Sequence, residues 1–385
     1  MEEHDTIPDF ILSGGPLNRL ARRMHLVRNE NSVGLGVALA LFTWGVMAFL
    51  AVLVGGIHRF FSWDVIAVHV RLLVAIPLFF LCETWVFPRM AEFSREIVNA
   101  GIVPKAELPA FASDIRRSVR WSGSWGAEIL FALVAFTLPF LVELPGKSAN
   151  SGILLAETGG RIGPVLVWHL GFCLPLFRLL LLRWVWRIGL WCWFLCRLQQ
   201  RKLRLVPTHP DRVGGIGYVE IVHEHFTPLA FAVSAVFSAS FAENIVARVA
   251  AFESLYPSVP MILVLVATLF MGPLLIFSRS LWICRIQGWR EYMGMASRYV
   301  SAFDRRWLRD GSATGESQLG TSDIQSLADL ANSLAIVRGM QIIPVSKRLL
   351  TLLLVATALP LLPLAFLKYP VRDVALRLLQ ALTGL

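Results

Sequence analysis

Residues 33–57 read VGLGVALALFTWGVMAFLAVLVGGI, 25 consecutive positions without a charged side chain. Residues 257–278, PSVPMILVLVATLFMGPLLIFS, repeat the pattern. The hydrocarbon core of a bilayer is ~30 Å thick and takes ~20 helical residues to cross. Each stretch is therefore long enough to span a membrane as a helix, the form that satisfies its own backbone hydrogen bonds in lipid. The rest of the 385-residue chain agrees: 56% is hydrophobic, only 16% is charged and the mean hydropathy is +0.63. Soluble domains carry about 25% charged residues. These values argue against a water-soluble enzyme and against a disordered chain.

Working outward, seven segments qualify as spans: 33–57, 64–88, 123–144, 162–182, 226–247, 258–278 and 349–367. The expected fold is all-α, a polytopic transmembrane bundle with amphipathic helices on its inner side. Of the 36 Lys and Arg, 27 fall on the side that carries the N-terminus and 7 on the other, while Arg71 and Arg178 lie inside spans. Cytoplasmic loops carry the excess of basic residues. This places segment 1–32 inside the cell, and it accounts for the net charge of +10 without nucleic acid, for which no motif is present. Trp63 and Trp168 at outer ends, and Trp85, Trp121 and Trp125 at inner ends, suit the interfacial preference of indoles.

The apolar run 164–199 is longer than one span. We read it as a single span continuing into an interfacial helix, Arg183 to Gln199, whose arginines snorkel to lipid phosphates; two short spans are the alternative. Between spans, 89–122 reads as helix–turn–helix, with Gly101 ending one helix and Pro104 starting the next. Residues 279–348 read as a cytoplasmic hairpin. Trp289, Tyr292, Met293, Ala296, Tyr299, Val300, Phe303 and Trp307 form one stripe, and Ile324, Leu327, Leu330, Ala331, Leu334 and Val337 form the other. A Gly/Ser/Thr-rich loop at Gly311–Gly320 separates them, and Ser322 with Gln325 predicts a capping box. The tail 370–385 predicts an amphipathic helix on the outer surface. Cys82, Cys173, Cys192, Cys196 and Cys284 lie in apolar surroundings with no Cys-x-x-Cys pair, so no disulfide framework is implied.

Ionisable groups inside spans are costly and mark candidate sites. Here they are His69, Arg71, His169 and Glu243 towards the outside, and Glu83, Glu128 and Arg178 towards the inside. Arg71 pairing with Glu243, and Arg178 with Glu83, would offset their desolvation; such pairs either lock helices or line a solute path. The fifth span carries small residues, with Ser234, Ser238 and Ala242 at four-residue spacing, a pattern for close helix approach or a Ser-lined pore. The loop 205–225 is the densest polar constellation. Thr208, His209, Asp211, Arg212, Gly214, Gly215 and Gly217 predict a turn whose backbone N–H groups bind an anion. Alternatively His209, Asp211, His223 and Glu224 hold a divalent metal, or the histidines simply cap backbone groups. No cofactor is indicated.

Three stretches, Pro207-Thr208-His209-Pro210-Asp211 with Gly214-Gly215-Ile216-Gly217, Tyr299 to Trp307, and Ile324-Gln325-Ser326-Leu327-Ala328-Asp329-Leu330, resemble a widespread group of bacterial polytopic inner-membrane proteins. The resemblance is closest over 200–350. It implies a bacterial cytoplasmic membrane and imports no activity. A channel- or transporter-like protein, a membrane scaffold or sensor, and a metal-dependent membrane enzyme are the three function classes the residues leave open. The partners expected are the bilayer and a second copy of the chain.

The topology makes a direct prediction. A fluorescent-protein fusion after Gly311 is bright and an alkaline phosphatase fusion after Arg161 is active; the same compartment for both sites would overturn the map.

Overall fold

The computed structural model describes residues 8–12, 32–142, 163–309 and 322–368. Among them every regular element is helical. In chain order the principal helices are α1 (Val33–Leu53), α2 (Ile66–Asn99), α3 (Leu108–Ser122), α4 (Trp125–Val142), α5 (Pro164–Gln199), α6 (Tyr218–Val246), α7 (Phe252–Arg309), α8 (Ser322–Arg338) and α9 (Lys347–Ala365). Six of these, α1, α2, α5, α6, α7 and α9, are long and apolar enough to cross a membrane. The remaining expected span, 123–144, is α4, an 18-residue helix that packs along α5. The chain is a multi-pass membrane helical bundle. The loop 311–320 and the tail 370–385 lie outside the described residues.

The bundle has the surface its solvent requires. Phe42, Phe49, Leu53, Ile129, Leu133, Met261, Val264, Leu350 and Leu354 all stand exposed, over half of each side chain's surface in the open. In water such a surface would aggregate; against lipid tails it costs nothing. The buried sides are built from small residues. In α1, Gly36, Ala40, Thr43, Met47 and Ala51 face inward at helical spacing. A Cβ at Gly36 would come within 2.7 Å of the Phe80 side chain, so glycine sets how closely α1 approaches α2. In α6 the stripe Ala232, Ser234, Ala235, Ser238 and Ala239 is buried, and the Ser234 hydroxyl donates to the Thr357 carbonyl of α9 at 2.5 Å. The fifth-span pattern therefore serves close packing along this face.

Residues 164–199 form one continuous helix, as the single-span reading expects, but its second half is not interfacial. Arg183, Trp184, Arg187, Trp191 and Phe194 are buried, with Arg187 only 3% exposed. The reason is that carboxylates on three neighbouring helices line up along α5. Arg183 lies 3.8 Å from Glu128 of α4, and Arg187 hydrogen-bonds Glu83 of α2. Arg197 lies 3.5 Å from Asp114 of α3. Just past the helix end, Arg201 bonds Asp114 and, at 3.2 Å, Glu107. Desolvation acts to lower the Arg201 pKa, and the two carboxylates outweigh it, leaving the guanidinium above its ordinary value. The expected Arg178–Glu83 pair is thus replaced by Arg187–Glu83. Two and a half turns of helix separate Arg178 from Arg187, and Glu83 sits at the level of Arg187.

The N-terminal segment adds a feature with no periodic signal. Phe10 and Leu12 are fully buried. The Phe10 ring sits 4.4 Å from Phe194 and 5.5 Å from Trp191, the Leu12 carbonyl accepts from the Ser122 hydroxyl at 2.8 Å, and Asp9 pairs with Arg95. Residues 8–12 thus close the α2–α3–α5 contact.

Breaking a buried pair one-sidedly strands a charge and typically costs about 3–5 kcal/mol, whereas replacing both partners with apolar groups costs far less. Glu83→Gln should sharply lower the thermal midpoint of the purified protein, and Glu83→Leu with Arg187→Met should recover most of it. Equal melting of wild type and Glu83→Gln would refute the ladder.

Candidate functional site

The intramembrane polar residues divide into two groups. In one group Glu83, Glu128, Arg183 and Arg187 form a set of two cations and two anions, coupled electrostatically through Arg183. The Arg187 guanidinium also lies over the rings of Phe87, at 4.9 Å, and Trp184, at 5.5 Å. Its Nη2 takes no hydrogen bond, and the ring faces supply its remaining stabilisation. This set is charge-balanced and packed.

The outer group is different. Arg71 on α2 donates to the Ser240 hydroxyl of α6 at 3.1 Å. His169 on α5 is 3% exposed, its Nδ1 takes no hydrogen bond, and it lies within electrostatic reach of both Arg71 and Arg178. Arg178 is nine residues further along α5. Helical side chains tilt towards the N-terminus, which directs its guanidinium back towards the His169 level. Glu243, one turn beyond Ser240 on α6, is 1% exposed. Arg71 of α2 thus reaches α6 through Ser240, and His169 of α5 lies within electrostatic reach of Arg71 and of Arg178 on its own helix.

Around these residues two helices leave α geometry. Val70–Ala75, which contains Arg71, and His169–Cys173 are both π-helical. One extra residue per turn widens the helix and re-aims side chains, and such bulges recur at functional sites. The α6 helix packs directly on the first of them.

Other expected site residues lie elsewhere. His69 accepts from the Trp44 indole at 2.9 Å through Nδ1, so its Nε2 carries the proton and donates to the Phe60 carbonyl at 2.7 Å. With Phe61 stacked on the ring, His69 pins the connection between α1 and α2 rather than joining the cluster. His223 is similarly bound, accepting from Trp191 Nε1 at 3.1 Å and donating from Nδ1 to the Phe270 carbonyl at 2.5 Å. Glu224 pairs with Arg348. His209 and Asp211 contact each other at 2.8 Å on the loop. The four proposed metal ligands thus do not converge: His209 and Asp211 meet each other, while His223 and Glu224 are turned to other partners. No group of three or more His, Cys, Asp or Glu able to hold a metal occurs among the described residues.

The anion reading of the glycine loop is corrected as well. Asp211 fills the cradle itself. Its carboxylate accepts from the backbone N–H groups of Val213 at 2.9 Å, Gly215 at 3.0 Å and Gly217 at 2.9 Å. Gly214 and Gly215 adopt positive φ, +70° and +98°, and a Cβ on Gly215 would meet Ile102 Cδ1 at 2.4 Å. Arg212 also has φ +60°, and its carbonyl accepts from Gln341 N–H at 2.7 Å. Thr208 meets Tyr292 across 3.3 Å, and Pro207 covers Gly288 of α7. The loop is a structural clasp joining the α2–α3 corner, α7 and the segment after α8. At the start of α8 the Gln325 amide donates to Asp329 at 3.1 Å.

The sequence signal that sets Arg183 and Arg187 against protein rather than lipid is their spacing. They stand four apart on one helix, with Glu83 and Phe87 four apart on another. Ser240 belongs to the small-residue span but carries no charge to mark it.

No family model, curated protein or solved structure matches the chain.

The clasp predicts a graded response. Removing the carboxylate orphans three N–H donors, so Asp211→Ala should destabilise by about 2 kcal/mol. Gly215→Ala should be worse than Gly34→Ala, whose Cβ would enter open space. Thermal melts in detergent check the order, and a neutral Asp211→Ala would sink the clasp.

Proposed function

We propose that the chain moves an ion or small solute across a bacterial cytoplasmic membrane, with its N-terminus inside and the outer polar cluster as the solute site. The observation that supports this most is the coincidence of two π-helical segments with the two ionisable residues Arg71 and His169. Purely structural ion pairs need no helix distortion, as the inner set around Arg187 illustrates. Within the cluster two guanidiniums stand against one carboxylate, which favours an anion. The His169 ring nitrogens offer hydrogen bonds to a passing solute. Ser240 of α6 supplies a neutral hydrogen-bonding group at the same site.

A second reading rests on the hairpin of α7 and α8, where Met293, Met295, Val300, Leu308 and Ile324 are exposed. Apolar side chains outside the membrane spans suit a scaffold that docks a protein partner there. Copurification from native membranes of a protein that is lost when 309–340 is deleted would favour this reading.

Flux tests the first reading. In liposomes the wild type should pass chloride or phosphate faster than potassium, and Arg71→Ala with Arg178→Ala should reduce that flux by about tenfold, or ~1.4 kcal/mol in the barrier. Ser240→Ala, a smaller change at the same site, should reduce it measurably while leaving melting intact. Equal flux in all three, or none above empty liposomes, would overturn the proposal.

A further inference from the structure

Helix α1 gives the polar cluster no ionisable side chain, yet two adjacent residues of it hold both π-helical segments. The Thr43 hydroxyl bonds back to the Leu39 and Ala40 carbonyls, at 2.9 and 3.0 Å, and is used within α1. Its carbonyl is the group that meets α5. A mid-helix carbonyl keeps a second lone pair beyond its helix bond. That of Thr43 accepts from Trp168 Nε1 at 3.1 Å and from the Cys173 thiol at 3.9 Å. Trp168 immediately precedes the His169–Cys173 segment and Cys173 is its last residue, so both ends are fixed to one oxygen. Trp44, the next residue of α1, does the corresponding work on α2. Its indole donates to His69 at 2.9 Å, and His69 immediately precedes Val70–Ala75.

A π-turn is a rare and poorly paired form of helix, which persists where its surroundings hold it. Hydrogen bonds at the entry to both segments are such a hold. Thr43 is fully buried, so water does not compete for its carbonyl. The two anchors stand one residue apart, about 1.5 Å of rise. The same turn of α1 therefore fixes the two segments relative to each other, not each on its own. His169 is the first residue of one segment and Arg71 the second of the other. Each polar side chain thus leaves the backbone within two residues of an anchor.

We propose that Thr43 and Trp44 are positioning residues: through them α1 sets the spacing between Arg71 and His169 and so the anion the pair accepts. This rests on the solute reading above. Losing an anchor leaves the apolar contacts of the helices in place and frees the aim of one polar group against the other. Neither anchor touches the solute.

The test measures chloride and phosphate flux against concentration, with the full chain in liposomes. Trp44→Phe and Trp168→Phe each keep an aromatic ring and remove one N–H donor. Each should raise the half-saturating anion concentration about fivefold, the worth of one hydrogen bond, with a smaller change in maximal rate. The chloride-to-phosphate ratio should shift as well. Cys173→Ala, which removes only the longer contact, should act in the same direction and less. The double Trp variant should be no worse than the worse single, because both changes release one spacing. Trp282→Phe, on α7, should leave every value as in wild type. Wild-type flux with unchanged half-saturation and ratio in the α1 variants would overturn the positioning role and leave the solute site standing. A fall in rate for both anions alike, tracking a lowered melting midpoint, would overturn it too, by showing a structural contact. Absence of wild-type flux would remove the solute reading and this one together.

Discussion

Charged side chains that leave water must be met by opposite charge, and along α5 that demand organises half of the molecule. Arg183, Arg187 and Arg197, with Arg201 just past the helix end, successively engage Glu128, Glu83 and Asp114, and Arg201 also engages Glu107. The acids come from α4, α2 and α3. Each pair gains little net energy over an apolar contact, because desolvation consumes much of the Coulombic attraction. What the pairs supply is register. A helix sliding by one residue along α5 would strand a carboxylate in a medium that cannot solvate it. Apolar lipid-facing surfaces are interchangeable, so the ladder does more than hydrophobic burial to decide which helix lies where.

The same physics separates the two intramembrane clusters. Around Arg187 the charges balance and aromatic rings fill the remaining space, leaving a rigid joint. Around Arg71 and His169 the helices are widened by π turns, and a buried imidazole nitrogen goes unbonded.

Outside the membrane the fold depends on one carboxylate. By folding its own backbone around Asp211, the loop between α5 and α6 becomes stiff enough to receive Ile102, Pro207 against Gly288, and the 340–341 segment. The long extension of α7, its partner α8 and the α2–α3 corner are thereby referred to one point. Motion of the hairpin would act on the transmembrane α6 through this joint.

Hydropathy alone determined the membrane class and marked the segments apolar enough to cross, because a stretch of ~20 apolar residues admits few structures in lipid. Periodicity marked the inward stripe of α6 and the α7–α8 hairpin. Partner choice was another matter. Glu83 could equally have met Arg178 or Arg187, since both lie on α5 and only the relative height of α2 selects between them. The glycine loop looked like an anion cradle because its spacing specifies a ring of N–H groups, and nothing in the spacing says that Asp211 of the same turn will occupy it. Phe10 and Leu12 carried no pattern at all, because their burial is set by distant α3 and α5. Local sequence thus dictated which segments are helices and which faces are apolar. Which charge meets which, and where a polar group is left over, follows from distances between helices that only tertiary packing defines.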